Sequence, residues 1–346
     1  MRVMLLSVLF AILCSCVTGC DEDAVVPIPP EPDPGDTTSH SYIWQNDTLG
    51  GKLSRVNDVF CLAEDDAWAV GYFYHYDSTG KVDWKKTANA AHWDGIKWTL
   101  VRINPTFQGG FSFGEVRAVY CLGIDDVWAG SFHWNGVAWE VYNLTPLGRA
   151  GGTYKIWGDR ADNVYSVGNN GSIIHWDGQK HTQMGLETTA WNRDIWGWGG
   201  TTYIAVTDPD LHSGRRGYLI RMENGKITGL VESVSHEQIS VWGMNGTWYS
   251  GGCGRLFRNS DGKWLPVLSP ENCITGIRGT ALNDVCIFVQ QGEVIHYNGS
   301  TFATVLDEET LGFFTSRIAV VDRMVLAVGH LNQYAVVKRG YRQPVQ

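Results

Sequence analysis

Short apolar runs alternate with turn residues along the chain, and no stretch keeps a helical period over a useful length. Val56–Leu62 is typical: apolar and β-prone, the pattern of a strand buried on both faces. An acidic corner, Glu64–Asp66, follows it, and then a second run, AWAVG. A third run, AAHW, ends in Asp94-Gly95, the signal of a tight hairpin turn at positive φ, and KWTLV makes a fourth strand.

This unit recurs. Val56–Gly71, Val116–Gly130 and Tyr154–Gly168 align with one another, and looser copies begin at Arg193, Ile239, Ile274 and Arg317. The phrase HWDGIKW at His92 returns as HWNGVAW at His133, HWDGQKH at His175, RNSDGKW at Arg258 and HYNGSTF at His296. Seven units at a period of roughly 40–45 residues predict an all-β, seven-bladed β-propeller of four-stranded antiparallel blades. The last unit supplies only Gln333–Gly340 after its second strand, while Ser41–Leu49 is a spare strand at the start. The expected ring is therefore closed by an N-terminal strand completing the last blade, which removes open sheet edges. The propeller is assigned to residues 41–346.

The chain ahead of it reads differently. Residues 1–19 form a signal peptide with one early Arg and an apolar run too short to span a membrane with stop-transfer flanks. Its end, Val17-Thr18-Gly19-Cys20, resembles the bacterial lipobox. That resemblance implies cleavage before Cys20, acylation of Cys20 and attachment to a membrane through the lipid. Residues 20–40 then form an acidic, Pro-rich tether that buries no core. The expected location is the bacterial cell envelope, periplasmic or at the cell surface.

The repeat WG…DVWAVG…HWDG..W resembles the Trp-rich propellers of bacterial envelope lipoproteins. More distantly it is similar to photosystem II assembly-factor propellers and to Asp-box sialidase-like propellers. The resemblance implies a fold and little about function, since propellers host binding, scaffolding and catalysis.

Composition narrows the functions. A net charge of −9 and a pI near 5.5 argue against nucleic acid as a partner. The five cysteines beyond the tether follow no zinc spacing. Cys61, Cys121 and Cys286 fall at core positions of the repeat, and Cys253 and Cys273 form a candidate pair across neighbouring units. The repeated His92, His133, His175 and His296 recur once per blade, so they do not converge on a metal, and Arg221 and Arg258 fill the same slot. A hydrogen bond from each His to the Asp opening the second strand (Asp66, Asp126, Asp162, Asp284) is the expectation. Neither metal nor cofactor is expected. Ser260–Trp264 lacks full Asp-box spacing, and Val101–Pro105 only approaches the Arg-Ile-Pro signature of sialidases.

Loop length carries the functional expectation. The acidic corners and Asp-Gly turns lie on one face and are short. The opposite face takes the long connections Gly71–Ala91, Arg102–Glu115 and Thr207–Gly217. Tyr72, Tyr74, Trp84, Phe107, Phe111, His212 and Arg215 are expected around one mouth there, suited to an envelope protein or glycan. The expected function is non-catalytic binding or scaffolding. The alternative is a carbohydrate-active enzyme, glycosidase or lyase, which a convergent pair of acids in the central funnel would favour.

Overall fold

The computed structural model describes residues 37–345 except 108–109, 112, 145–146, 148–151, 186–187, 210–216, 232–236 and 309–313. Cys20, with the expected signal peptide and most of the expected tether, lies outside the described residues. Seven four-stranded antiparallel sheets form the blades of a propeller, and no α-helix occurs among the described residues. Blade one shows the plan: Arg55–Ala63 is the inner strand, followed outward by Asp66–Phe73, Ala88–Trp93 and Trp98–Val101. The seventh blade takes Phe314–Val321, Met324–Leu331 and Tyr334–Arg342 from the C-terminal end. Its fourth strand is Tyr42–Leu49, paired in unbroken register from Tyr42↔Arg342 to Leu49↔Ala335. The ring closes as its sequence implied.

Each inner strand carries one fully buried aliphatic residue at the same register: Val59, Val119, Ile156, Ile195, Val241, Ile277 and Ile318. Directly after the first five of these come dipeptides such as Trp157-Gly158 and Trp196-Gly197, or the variants Phe60-Cys61 and Tyr120-Cys121. The packing explains the pair. The ring of Trp157 lies where a Cβ on Gly197 would sit, 2.3 Å from the nearest ring carbon, and Trp242 does the same to Gly279 of the following blade. Trp196 Nε1 donates to Gly243 O at 2.9 Å and Tyr120 Oη donates to Gly158 O at 2.8 Å. An aromatic ring from each of blades two to five thus lies on the bare backbone of the next, and the glycine is required there because any side chain would occupy the ring's place.

The residue before each buried aliphatic faces its neighbours around the channel: Asp58, Ala118, Lys155, Asp194, Ser240, Gly276 and Arg317 in order. Two ion pairs form chords of the ring. Lys155 Nζ of blade three reaches Asp58 Oδ1 of blade one at 2.6 Å, past the small Ala118 of blade two. Arg278 of blade six holds Asp194 of blade four with two hydrogen bonds, 2.8 and 3.0 Å, past Ser240 of blade five, whose hydroxyl donates to the same carboxylate at 2.6 Å.

All seven corners after inner strands are two residues long, and they share a face with the Asp-Gly turns. The other face takes the connections between second and third strands and between blades, among them residues 74–87 and 102–118. The N-terminal segment sits on the short-turn face. Thr38 Oγ1 donates to Asn283 O at 2.6 Å, and Thr38 N to Asn298 O at 3.2 Å, before the chain enters the closing strand.

Candidate functional site

The repeated His slot is structural wherever it is described. His92 Nε2 lies 2.9 Å from Asp66, His133 Nε2 lies 2.9 Å from Asp126, and His296 Nε2 lies 3.0 Å from Asp284. In blade three the partner is Asn163 Oδ1, 2.8 Å from His175 Nε2, and not Asp162. The correction has a simple cause: Asn163 opens that strand, while Asp162 sits in the corner and pairs with Arg160 at 2.9 Å. Each ring also lies on the residue opposite it in the second strand where that residue is aromatic. His133 stacks on Trp128 at 4.1 Å and His175 on Tyr165 at 4.4 Å. Arg258 covers Tyr249 in the same register, so a flat cation replaces the imidazole without loss of packing. No group of three or more potential metal ligands forms among the described residues.

Cys253 and Cys273 are joined in a disulfide that links the second-to-third-strand turn of blade five to the segment leading into blade six. Cys61, Cys121 and Cys286 are buried free thiols. Burial first, then nearby carboxylates, push all three well above the usual thiol range, which removes them as nucleophiles.

On the loop-rich face, residues 74–87 form an organised excursion. Asp77 Oδ1 accepts from Thr79 N, Thr79 Oγ1 and Lys81 N, which ties the tip. Tyr76 Oη donates to Lys52 O at 2.8 Å, fastening the loop to the segment that enters blade one. The loop presents a ridge of rings: Tyr72 to Tyr74 at 5.1 Å, Tyr74 to Trp84 at 6.1 Å, and Tyr72 to Phe113 at 5.7 Å. Arg102 closes the ridge from below, its guanidinium 3.7 Å from the Phe113 centroid and donating to Trp84 O at 2.9 Å. Trp84 is 60% exposed on this tied loop.

The structure brings Tyr72, Tyr74 and Trp84 together and adds Tyr76, Phe113 and Arg102. Phe107 and Phe111 belong to a short hairpin in the connection to blade two, Thr106–Phe107 with Gly110–Phe111; their side chains lie outside the described part. His212 and Arg215 lie outside the described residues.

A second feature, at the central mouth, was not expected. Arg193 is the third residue of the inner strand of blade four, Trp191–Trp198, and lies 5.2 Å from the Trp191 ring and 5.5 Å from the Tyr154 ring. Its Nε is buried without an acceptor. Burial, and next the like charge of Arg317, pull its pKa below the ordinary arginine value, against the opposing influence of Tyr154 and Glu237. Arg317 donates to the Arg193 carbonyl at 3.2 Å, so the two cations are held side by side. A pair of neighbouring guanidiniums at the mouth of an acidic protein is a local reversal of its charge. Beside the mouth, where the second-to-third turn of blade two shrinks to Gly130-Ser131, a cleft of ≈ 230 Å³ opens against Glu115, Arg117, Phe132 and Thr153.

The acids near the channel do not converge as a pair. Asp58 belongs to Lys155 and Asp194 to Arg278.

No protein-family model matches the chain, and no curated protein matches it. Its fold is found in solved structures. A structure described as YCF48 bound to D1 peptide superposes with a TM-score of 0.62 at 14% identity, over 90% of this chain and 99% of that one. YCF48 from Cyanidioschyzon merolae gives 0.58 at 12% identity, over 86% and 98%. The WD40 propeller domain of Doa1 gives 0.59 at 11% identity, over 87% and 97%. At such identities the likeness concerns the fold: this chain is a seven-bladed β-propeller similar in architecture to YCF48 and WD40 propellers.

Proposed function

We propose that the chain is a lipid-anchored envelope propeller that binds an extended segment of a partner protein on its loop-rich face. The observation that carries this is the aromatic ridge of Tyr72, Tyr74 and Trp84, in which two partly buried tyrosines support an exposed Trp84 on a loop that is itself tied down by hydrogen bonds. An exposed tryptophan grouped with further rings on an ordered loop offers apolar area that a partner can bury without first ordering the loop. The guanidiniums of Arg193 and Arg317 on the same face suit a carboxylate on that partner. A similarly folded propeller solved with a peptide bound supports a protein segment over a glycan.

Anchoring rests on the lipobox resemblance at Cys20. The docked segment at Thr38 favours a definite orientation: an arm leaving from the short-turn face would turn the loop-rich face away from the membrane. The disulfide between Cys253 and Cys273 is compatible with an oxidising compartment.

The test is site-specific photocrosslinking in intact envelopes. A crosslinker replacing Trp84 or Tyr74 is expected to capture one discrete protein, and one replacing Ile96 or Val137 on the short-turn face is not. Capture from the short-turn positions alone, or recognition only of glycans on an array, would overturn this reading. Labelling with a palmitate analogue, compared between the parent and Cys20→Ser, tests the anchor separately; equal label on both would remove it.

A further inference from the structure

One His slot differs from the others. In blade six the ring of His296 is fully buried, and both of its nitrogens are engaged. Nε2 faces the Asp284 carboxylate at 3.0 Å. That carboxylate is ionically paired with Arg342 at 3.1 Å and also accepts from Thr280 Oγ1, so it takes a hydrogen from the imidazole. Nδ1 lies 2.9 Å from Nδ1 of His40, a residue of the N-terminal segment. His40 Nε2 in turn lies 3.0 Å from Thr301 Oγ1. In blade two the matching nitrogen, His133 Nδ1, has no partner. The N-terminal segment therefore completes a slot that blade two leaves open.

Two imidazole nitrogens at hydrogen-bond distance need one proton between them. With both rings neutral, His296 carries its hydrogen on Nε2 and offers the Nδ1 lone pair. His40 donates Nδ1–H into it and accepts from the Thr301 hydroxyl at Nε2. Protonation of His40 keeps that shared hydrogen but turns its Nε2 acceptor into a second N–H donor, so the Thr301 hydroxyl no longer donates to it, and it places a positive charge in a desolvated contact.

The remaining ionisable groups around the pair are few. Blade six supplies Asp284 and the buried Cys286 thiol, and blade seven with the closing strand supplies Arg342 and Tyr42, whose ring meets His296 edge-on at 5.5 Å. Asp284 is the single carboxylate in this set, and Arg342 already engages it.

We propose that the His40–His296 contact is an acid-released latch, which holds residues 37–41 on the short-turn face and fixes where the N-terminal arm departs. Burial, then the charge of His296, lower the pKa of His40. The sign follows from that direction. A histidine whose docked pKa lies below its free value of 6.5 contributes fully above pH 6.5 and loses that contribution as pH falls below it. Release leaves the closing strand in place, since its register with Tyr334–Arg342 does not involve His40. The freed arm gains about five residues, roughly 17 Å of extended reach.

Hydrogen exchange on the full chain tests this through the Thr38 amide, which donates to Asn298 O in the latched state. Between about pH 7.5 and about pH 5, its protection, corrected for the intrinsic rate, should fall by about tenfold or more with a midpoint below 6.5. Amides of Tyr42–Leu49 should keep theirs. His40→Ala should leave Thr38 unprotected at both pH values. His40→Gln donates an amide N–H to a neutral His296 and presents its carbonyl to a protonated one, so it should stay latched throughout. Undiminished protection of Thr38 at pH 5 in the parent, or the same acid loss in His40→Gln, overturns the proposal.

Discussion

Lys155 Nζ and Asp58 Oδ1 lie 2.6 Å apart although their strands belong to blades three and one, with blade two between them. Both side chains are nearly or wholly inaccessible, and Asp58 also accepts from Val119 N of the intervening blade at 3.0 Å. One carboxylate thus ties three blades. Burial lowers the Lys155 pKa, and the attraction of Asp58 works against that. Lys155→Met leaves Asp58 buried and uncompensated, and should cost about 3–5 kcal/mol in denaturant unfolding. Adding Asp58→Asn should recover much of that loss, because the charge goes while an acceptor for Val119 N remains. Additive losses in the double variant would mean that the pair is not coupled.

The second chord predicts an acid limit. Burial by itself would raise the Asp194 pKa, but Arg278, with help from Lys155 and Arg317, outweighs it and the net direction is down. A depressed carboxylate contributes stability fully above its ordinary value of 3.8 and loses it as pH falls through the lower folded value. Stability measured by denaturant midpoint should therefore fall through this group only below about pH 4, and Arg278→Met should weaken the protein at neutral pH. A parent that loses its chord-dependent stability already near neutrality would contradict the sign.

The Trp-on-glycine contact predicts a rescue. Gly197→Ala places a Cβ within 2.3 Å of the Trp157 ring, so blades three and four must separate locally. Overpacking of this kind costs about 1–3 kcal/mol. Trp157→Leu withdraws the ring and costs stability by itself, but it should make Gly197→Ala close to neutral. If the alanine costs the same in both backgrounds, the glycine serves something other than the ring.

These contacts mark how far the sequence could be read. Period, blade number and ring closure were legible because each blade writes the same turn residues and the same buried run, and because Ser41–Leu49 had no partner in its own unit. The ridge of Tyr72, Tyr74 and Trp84 was legible as an aromatic-rich long loop. Its companions were not, since Phe113 comes from a different connection and meets Tyr72 only after folding. Arg193 and Arg317 sit 124 residues apart in sequence and are joined by the ring. Aligning inner strands on the residue before each buried aliphatic finds the chord charges, but no period tells which chord will form. The Asp162 expectation failed for a local reason: two polar residues stand in succession, and the strand begins at the second.

The His slot yields a prediction in which packing and polarity separate. His175→Ala removes the ring from Tyr165 and leaves Asn163 Oδ1 without its donor, which should cost about 1–3 kcal/mol. His175→Arg should cost less, because Arg258 already covers a tyrosine in the equivalent place. Thermal unfolding of the two variants, with metal content measured on the parent, is the check. Stoichiometric zinc lost on mutation would replace the structural role with a ligand role.

The binding face gives the prediction most exposed to failure. Trp84 forms the exposed crest of the ridge with the partly buried Tyr74 beside it, whereas Arg102 is occupied with Phe113, Trp84 O and Thr87 O. An aromatic anchor at the centre of an interface is worth more than a charge at its rim, so Trp84→Ala should cost about 2 kcal/mol, roughly thirtyfold in affinity. Tyr74→Ala should weaken binding less, since its ring also supports Tyr72 and Trp84 and part of the loss appears as loop disorder. Arg102→Ala should act indirectly, by releasing the ridge, and should therefore lower affinity without changing its salt dependence. Arg193→Gln should do the reverse: it keeps the stacking shape beside Trp191 and Tyr154 but removes the charge, so affinity for a carboxylate-bearing segment falls and the salt slope flattens. On the opposite face, Asp94→Ala removes the acceptor for Ile96 N and Lys97 N and should disturb folding while leaving intrinsic affinity unchanged. Titration calorimetry with the partner captured by crosslinking, at two salt concentrations, separates these cases. Normal binding by Trp84→Ala and Arg193→Gln, with affinity lost in stable short-turn variants, would place the site on the other face of the ring.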